Sequence, residues 1–371
     1  MLVALFVVLG IAVYQFTAPP PPPGSTGFSV SGLLRGLRRG VQGPRETATA
    51  DSLQTVAVPA SAGILRINIA RVSDVTITGE DRADVTASLR ATGRGYDRPE
   101  ADAAAHGPRL KIDTTADAVA VSIDFTSAPQ ISRTQPPPTL SLTIAIPRRL
   151  AVRVDPHIGR FVLANVASAE IMSSRGETKI SDVGGSLKLT HNGGAIEIAS
   201  AGSLKLNARN SRGTVKGISG PVSIDGVGGD LALSEIDGPL EIEARNTDVK
   251  VEADTRLKPP LRINMNGGTL RVTGLRTEAR LDGRNTEINV ALDAPAPLTI
   301  YNAGEIIVTP PSGGYTLDAA ATEGGVTVED GEIAASEGPD PHAEGKVRGG
   351  GPTITLRATR GHIEVRKPAG K

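Results

Sequence analysis

The chain has 371 residues, and 40 Lys plus Arg balance 40 Asp plus Glu, so its formal charge is zero. That balance argues against nucleic-acid binding through a whole-protein basic field. The absence of Cys excludes disulfides, thiolate metal sites and a cysteine nucleophile. With no Trp, five Phe and four Tyr, stacking on sugars or unpaired bases is disfavoured as a main binding mode, and the core must be built from Val, Ile, Leu and Ala.

Residues 1–18, MLVALFVVLGIAVYQFTA, are apolar apart from Gln15 and predict a short transmembrane signal anchor. No Lys or Arg precedes the run and no clear Ala-x-Ala comes after it, which favours an uncleaved anchor over a cleaved signal. Pro19 to Pro23 predict a stiff extended spacer. The rest of the 19–50 segment is rich in Gly and carries Arg35, Arg38 and Arg39, as expected of a basic linker.

From about residue 51 the pattern is one of short alternating strands broken by Gly, Pro, Asn or Asp, such as LRINI at 65–69 and LSLTIAIP at 140–147. PEADAAAH at 99–106 is the one stretch that predicts helix, of a turn or two. Residues 51–150 thus read as a β-rich N-terminal portion that caps the repeats beyond it.

Beyond residue 150 a period can be counted. Ser174, Asn192, Asn210, Gly228, Asn246, Asn266, Asn285 and Asn302 open short strands at a nearly constant interval of about 18 residues. A second series, out of phase, starts at Leu187, Leu204, Val222, Leu240, Leu261, Ala279, Leu298 and Tyr315. Each unit of about 18 residues therefore holds two strands and two corners, as expected of stacked coils. The recurring Asn predicts left-handed corners, with amides stacked along the axis. Ile196, Ile198, Leu204, Leu206, Val249 and Val251 are expected inside; Glu197, Lys205, Glu241 and Lys250 are expected to face solvent.

Three segments carry a family resemblance: LRINIARVSDVTITGEDRADV at 65–85, LTIAIPRRLAVRV at 142–154 and the ending GKVRGGGPTITLRATRGHIEVRK at 345–367. Over about residues 55–367 the chain is similar to a bacterial putative adhesin family, a domain of unknown function with a β-helical fold. The resemblance implies that fold and a cell-envelope location, and it brings no catalytic residues. The chain departs from the family's common Ser-Gly-Asp corners by using mostly Asn, with Arg360-Gly361-His362 at the last one.

Little chemistry is signalled. The histidines, His106, His157, His191, His342 and His362, show no metal-ligand spacing, and His191 is expected as an exposed corner residue. Gly349-Gly350-Gly351 precedes Pro352 and a strand, so it reads as a turn rather than a phosphate cradle. DGVGGDLAL at 225–233 partly resembles a calcium nonapeptide, but among the neighbouring units only Asp248 repeats Asp230. The acidic segment near 331–350 is expected as a mobile insertion; Asp330, Glu332, Glu337, Asp340, His342 and Glu344 around it are too irregularly spaced to nominate.

The expectation is an all-β protein: a single-chain β-helix, or β-solenoid, over 151–371 with about 18 residues per coil, after the cap, linker and N-terminal transmembrane helix. The expected function is non-enzymatic, a membrane-anchored envelope rod for adhesion or protein interaction. Two alternatives stay open: a carbohydrate-active β-helix enzyme of lyase or hydrolase type, and a polymerising envelope scaffold. Expected partners are the membrane through the N-terminal helix, and envelope proteins or surface glycans, not nucleic acid. The expected location is the inner membrane with a periplasmic domain, or the cell surface. No catalytic, cofactor-binding or metal-ligating residue is nominated.

Overall fold

The computed structural model describes residues 46–69, 72–125, 136–329 and 332–368. The expected membrane span at 1–18 and the linker as far as residue 45 lie outside the described residues. No helix among the described residues is long and apolar enough to cross a membrane.

The fold is predominantly β, with 21 strands in one extensive sheet among the described residues. In chain order the first elements are β1 (Glu46–Ala57), β2 (Ile64–Asn68), β3 (Asp74–Glu80), β4 (Asp84–Gly95), α1 (Arg98–His106), β5 (Arg109–Thr114), β6 (Ala118–Asp124) and β7 (Thr139–Pro147). Residues 46–50, expected as linker, are thus already strand. Then come β8 (Ala151–Ile158), β9 (Arg160–Val166), the long β10 (Ser168–Ile218), β11 (Val222–Ile236), β12 (Leu240–Glu252), β13 (Leu261–Leu275) and β14 (Ala279–Leu292). The last are β15 (Leu298–Ala303), β16 (Ile306–Thr309), β17 (Tyr315–Thr322), β18 (Gly325–Val328), β19 (His342–Val347), β20 (Thr353–Thr359) and β21 (His362–Val365).

The chain divides into two compact units. The smaller one contains the end of β4 and α1. Asp97 caps α1 by accepting from the Glu100 N–H at 3.0 Å, and Pro99 sits in the first turn, where its missing N–H costs nothing. The buried face is all alanine: Ala101 and Ala105 pack on Ala48. Gly93 permits that close approach, since a Cβ there would lie 2.4 Å from the Ala101 carbonyl oxygen.

In the larger unit the repeat becomes a parallel ladder. Leu204 pairs with Val222, Val222 with Leu240, Leu240 with Leu261, Leu261 with Ala279 and Ala279 with Leu298. These are successive members of the second sequence series, so the period is a pairing offset, and each such step is here called a rung. The six residues expected inside are at most 3 % exposed, and Glu197, Lys205, Glu241 and Lys250 lie on the outer face. Strict alternation does this: along β12, Leu240, Ile242 and Ala244 point in while Glu241, Glu243 and Arg245 point out.

The corners depart from expectation in register. Left-handed backbone falls at Arg175, Gly193, Asn210, Gly228, Asn246, Gly267 and Asn285, with φ between 48° and 80°. The expected column is therefore one residue early at Ser174, Asn192 and Asn266. Where Gly follows Asn, Gly takes the left-handed position because it has no Cβ to clash. Asn302 is no corner; it is buried, pairs with Gly283, and donates to the carbonyls of Thr286 (2.7 Å) and Glu305 (3.0 Å). Nor do amides stack on amides: Asn210 lies opposite Gly228, and a Cβ on that glycine would sit 2.7 Å from the Asn210 Oδ1.

Both ends of the ladder are permuted. β2 lies between β6 and β8, and β3 between β7 and β9. At the other end β20 lies between β15 and β17, and β21 between β16 and β18. Tyr315, the member after Leu298 in the sequence series, is thus not on the next rung; Leu298 and Leu317 both pair with Ile354. Within the segment expected as a mobile insertion, β19 pairs antiparallel with β17.

Two substitutions test this packing in chemical denaturation. Leu240→Ala, at a site 1 % exposed, is expected to cost about 2–5 kcal/mol. Gly268→Ala is expected to cost about 3 kcal/mol or more, because φ is +88° and the new Cβ would meet the Thr247 carbonyl oxygen at 2.2 Å. A loss below ~1 kcal/mol at both sites would contradict the ladder.

Candidate binding groove

Corners of two kinds alternate from rung to rung. Arg209-Asn210-Ser211, Arg245-Asn246-Thr247 and Arg284-Asn285-Thr286 form one kind. Val227-Gly228-Gly229 and Asn266-Gly267-Gly268 form the other. In the first kind Asn supplies the left-handed residue, and the next side chain is buried with its hydroxyl donating two residues back. Ser211 donates to the Arg209 carbonyl at 2.8 Å, Thr247 to that of Arg245 at 2.9 Å, and Thr286 to that of Arg284 at 3.0 Å. The rung above each must be bare. A Cβ on Gly229, Gly268 or Gly304 would come within 2.2, 2.2 or 2.5 Å of the Ser211, Thr247 or Thr286 carbonyl oxygen.

The structural repeat on this side is therefore two rungs, and it places an arginine on every second one. Beside the corners runs an open groove of 720 Å³. One wall is the column Arg209, Val227, Arg245, Asn266, Arg284 and Ala303, in which each residue pairs with the next. The other, two residues earlier on each strand, is Asp225, Glu243, Asn264, Asp282, Tyr301 and Arg357. Between them the inward column is small at Gly226, Ala244 and Gly283.

The charges of the groove are not equivalent. Asp282 is bound by Arg280 Nε at 2.9 Å, and that guanidinium also lies 5.4 Å from the Tyr301 ring centroid. Arg357 is tied to Asp318 at 2.6 Å. Arg209, Arg245 and Arg284 are exposed and have no hydrogen-bond or ion-pair partner for their guanidinium groups among the described residues. Two rungs separate them by about 10 Å. In water their mutual repulsion is then only ~0.4 kcal/mol per pair before screening by salt. The row is tolerated without internal neutralisation, and its donors remain open to a ligand.

Several other polar residues singled out by the sequence have structural partners. His191, expected at an exposed corner, is 1 % exposed. The alternation that buries Leu187 and Leu189 carries on through it to the corner. Its Nδ1 lies 2.7 Å from the Ser173 Oγ, which in turn lies 3.0 Å from the Thr178 Oγ1. His157 is also buried, with Nε2 3.2 Å from the Arg160 carbonyl. Asp230 and Asp248 pair across neighbouring rungs, but Asp230 takes Arg212 at 3.2 Å, and Asp248 accepts from the Thr269 N–H at 2.8 Å. No cluster of three or more His, Asp or Glu fit to hold a metal occurs among the described residues. Glu332 accepts from the Arg348 N–H at 2.8 Å, and His342 Nδ1 lies 2.8 Å from the Ser336 Oγ. Gly349 and Gly350 both have φ of +84° in the turn before β20, as a turn reading requires.

Residue type alone does not single out the groove, because Arg and Asp on a strand read as ordinary solvated positions. Its signal is the triplet Arg-Asn-Ser/Thr, which recurs at 209, 245 and 284, about twice the rung period.

No protein-family profile matches the chain, and no curated protein matches it. Among solved structures it has a distant likeness to a putative adhesin from Parabacteroides merdae, at 11 % identity and a TM-score of 0.32, covering 85 % of this chain and 96 % of that one. A putative adhesin from Parabacteroides distasonis scores 0.32 at 12 % identity, over 71 % of this chain and 97 % of that one. A putative cell adhesion protein from Clostridium sporogenes scores 0.20 at 10 % identity, over 86 % of this chain and 100 % of that one.

Burial lowers the pKa of both His157 and His191 below the ordinary histidine value. The unfolded chain then binds protons that the folded chain refuses, so stability falls as pH drops below the unfolded value of about 6.5. The midpoint of urea denaturation is expected to fall between about pH 7.5 and 5, and less so in His191→Gln. An unchanged pH dependence in that variant would remove His191 as a contributor.

Proposed function

We propose that this chain is a non-enzymatic, membrane-anchored cell-envelope protein whose 151–371 region winds as a β-helix, one repeat unit to each coil, and serves adhesion or protein interaction. In this reading residues 1–18 are the anchor, the next segment is the tether, and the β-rich portion up to about 150 caps the coils. The observation that carries the reading is the groove. A regular pairing offset lines up arginines on every second rung, and Arg209, Arg245 and Arg284 have no partner for their donors among the described residues. A surface of that kind suits recognition of something extended. The near-constancy of the pairing offset, from Leu204 opposite Val222 to Ala279 opposite Leu298, supports the winding.

Protease accessibility tests the location and with it the function. Intact cells and spheroplasts are exposed to protease and probed for the region beyond residue 51. Cleavage in intact cells is the result expected of a surface adhesin, and cleavage only in spheroplasts that of a periplasmic domain meeting envelope partners. Protection in both would place the region in the cytoplasm and overturn the proposal.

A further inference from the structure

The two-rung alternation fixes the spacing of positive charge in the groove. Arg209, Arg245 and Arg284 lie two rungs apart, and Arg357, in the other wall, lies two rungs beyond Arg284. The step is about 10 Å and the row extends for about 29 Å. In the arginine wall the intervening rungs carry the uncharged Val227, Asn266 and Ala303. The facing wall offers acceptors, Asp225 and Glu243, and the amide of Asn264. Arginine guanidiniums bind carboxylates through paired donors, while carboxylates and amides accept from hydroxyl groups.

We propose that the groove binds a linear anionic glycan lying along the stacking axis, with one carboxylate on every second sugar. The inference rests on the reading of the chain as a displayed β-helix and names the class of ligand for it. A pyranose in an extended glycan advances its chain by about one rung, so alternate sugars meet alternate rungs. Each carboxylate then faces Arg209, Arg245 or Arg284, and the neutral sugars between them face Val227, Asn266 and Ala303. The hydroxyls donate to Asp225 and Glu243. Asp225, on the uncharged Val227 rung, opposes a polymer charged at every residue, whose extra carboxylate there would face it without a cation. A protein partner is less well matched. Its extended strand would seek open backbone edges, whereas the strands lining this groove are already paired on both sides from Asp225 to Tyr301.

The test is calorimetric titration of the full-length chain in detergent micelles with a hyaluronan decasaccharide, which carries one carboxylate per disaccharide. Binding is expected, weakened about tenfold by Arg245→Gln and abolished by the triple variant Arg209→Gln, Arg245→Gln, Arg284→Gln. All three side chains are exposed, so the variants should fold, which a circular dichroism spectrum checks. Arg271→Gln, on an exposed position outside the groove, should bind as the parent does. No hyaluronan binding, binding untouched by the triple variant, or equal binding of neutral dextran would overturn the inference. Tighter binding of a polygalacturonate oligomer would overturn the alternate-sugar spacing. Set beside the protease experiment the two failures are separable. An exposed domain that binds no glycan sinks this inference alone, while a domain protected from both sides sinks the reading beneath it.

Discussion

Parallel pairing at a nearly constant offset makes each side chain of the ladder stack on the residue one rung away, and most other features derive from that constraint. An apolar position repeated at the offset becomes a continuous buried column, as Leu204, Val222, Leu240, Leu261, Ala279 and Leu298 do. A position that needs left-handed backbone must find a residue able to adopt it on every rung. Where the backbone carbonyl after a corner points at the next rung, as at Ser211 and Thr247, that rung has no room for a Cβ and carries glycine. The alternation of Asn-Ser/Thr with Gly-Gly corners is the solution this chain uses, and the buried Ser211, Thr247 and Thr286 hydroxyls are satisfied by backbone carbonyls.

The same constraint governs charge. Like charges at one offset stack at about 5 Å, as Asp225 does on Glu243 and Lys250 on Arg271, whereas elsewhere opposite charges meet across the rungs. Glu170 lies between Arg153 at 3.7 Å and Lys188 at 2.7 Å, and Lys179 reaches Glu177 at 3.1 Å and Glu197 at 3.2 Å. Such exposed pairs contribute little each, ~0–1 kcal/mol, but they remove a repulsion that every further rung would add. The zero net charge of the chain is in keeping with these local balances. Against that background the unpaired Arg209, Arg245 and Arg284 stand out, and the two-rung step is what makes them tolerable.

The permuted ends address a different weakness. A ladder that began and ended with its own chain termini would fray from edge strands held on one side only. Here β2 and β3 towards one end, and β20 and β21 towards the other, are each held between two neighbours. Beyond them β1 pairs with β4 on the N-terminal side, and on the C-terminal side β19 adds an antiparallel partner to β17. Releasing one of these strands therefore means breaking two sets of backbone hydrogen bonds.

The sequence by itself determined the rung period, the inside and outside faces of each strand and the places where the chain must turn. All three are set by local chemistry: alternation of apolar residues such as Ile196 and Ile198, and the few residue types that tolerate left-handed backbone. It also contained the Arg-Asn-Ser/Thr triplet, though nothing local gives that triplet more weight than any solvated arginine. The burial of His191 was within reach of the same alternation, but the polar identity of the side chain masked it. Only the tertiary structure decided which rungs are neighbours at the ends, since β17 and β20 carry the same alternation and either would fit beside β15 by pattern alone. Only it brought Arg209, Arg245 and Arg284 into one groove and left their guanidinium groups without partners among the described residues. Neighbour choice and pairing of charges depend on segments far apart in the chain, and strand periodicity is blind to which partner fills the adjacent hydrogen bonds.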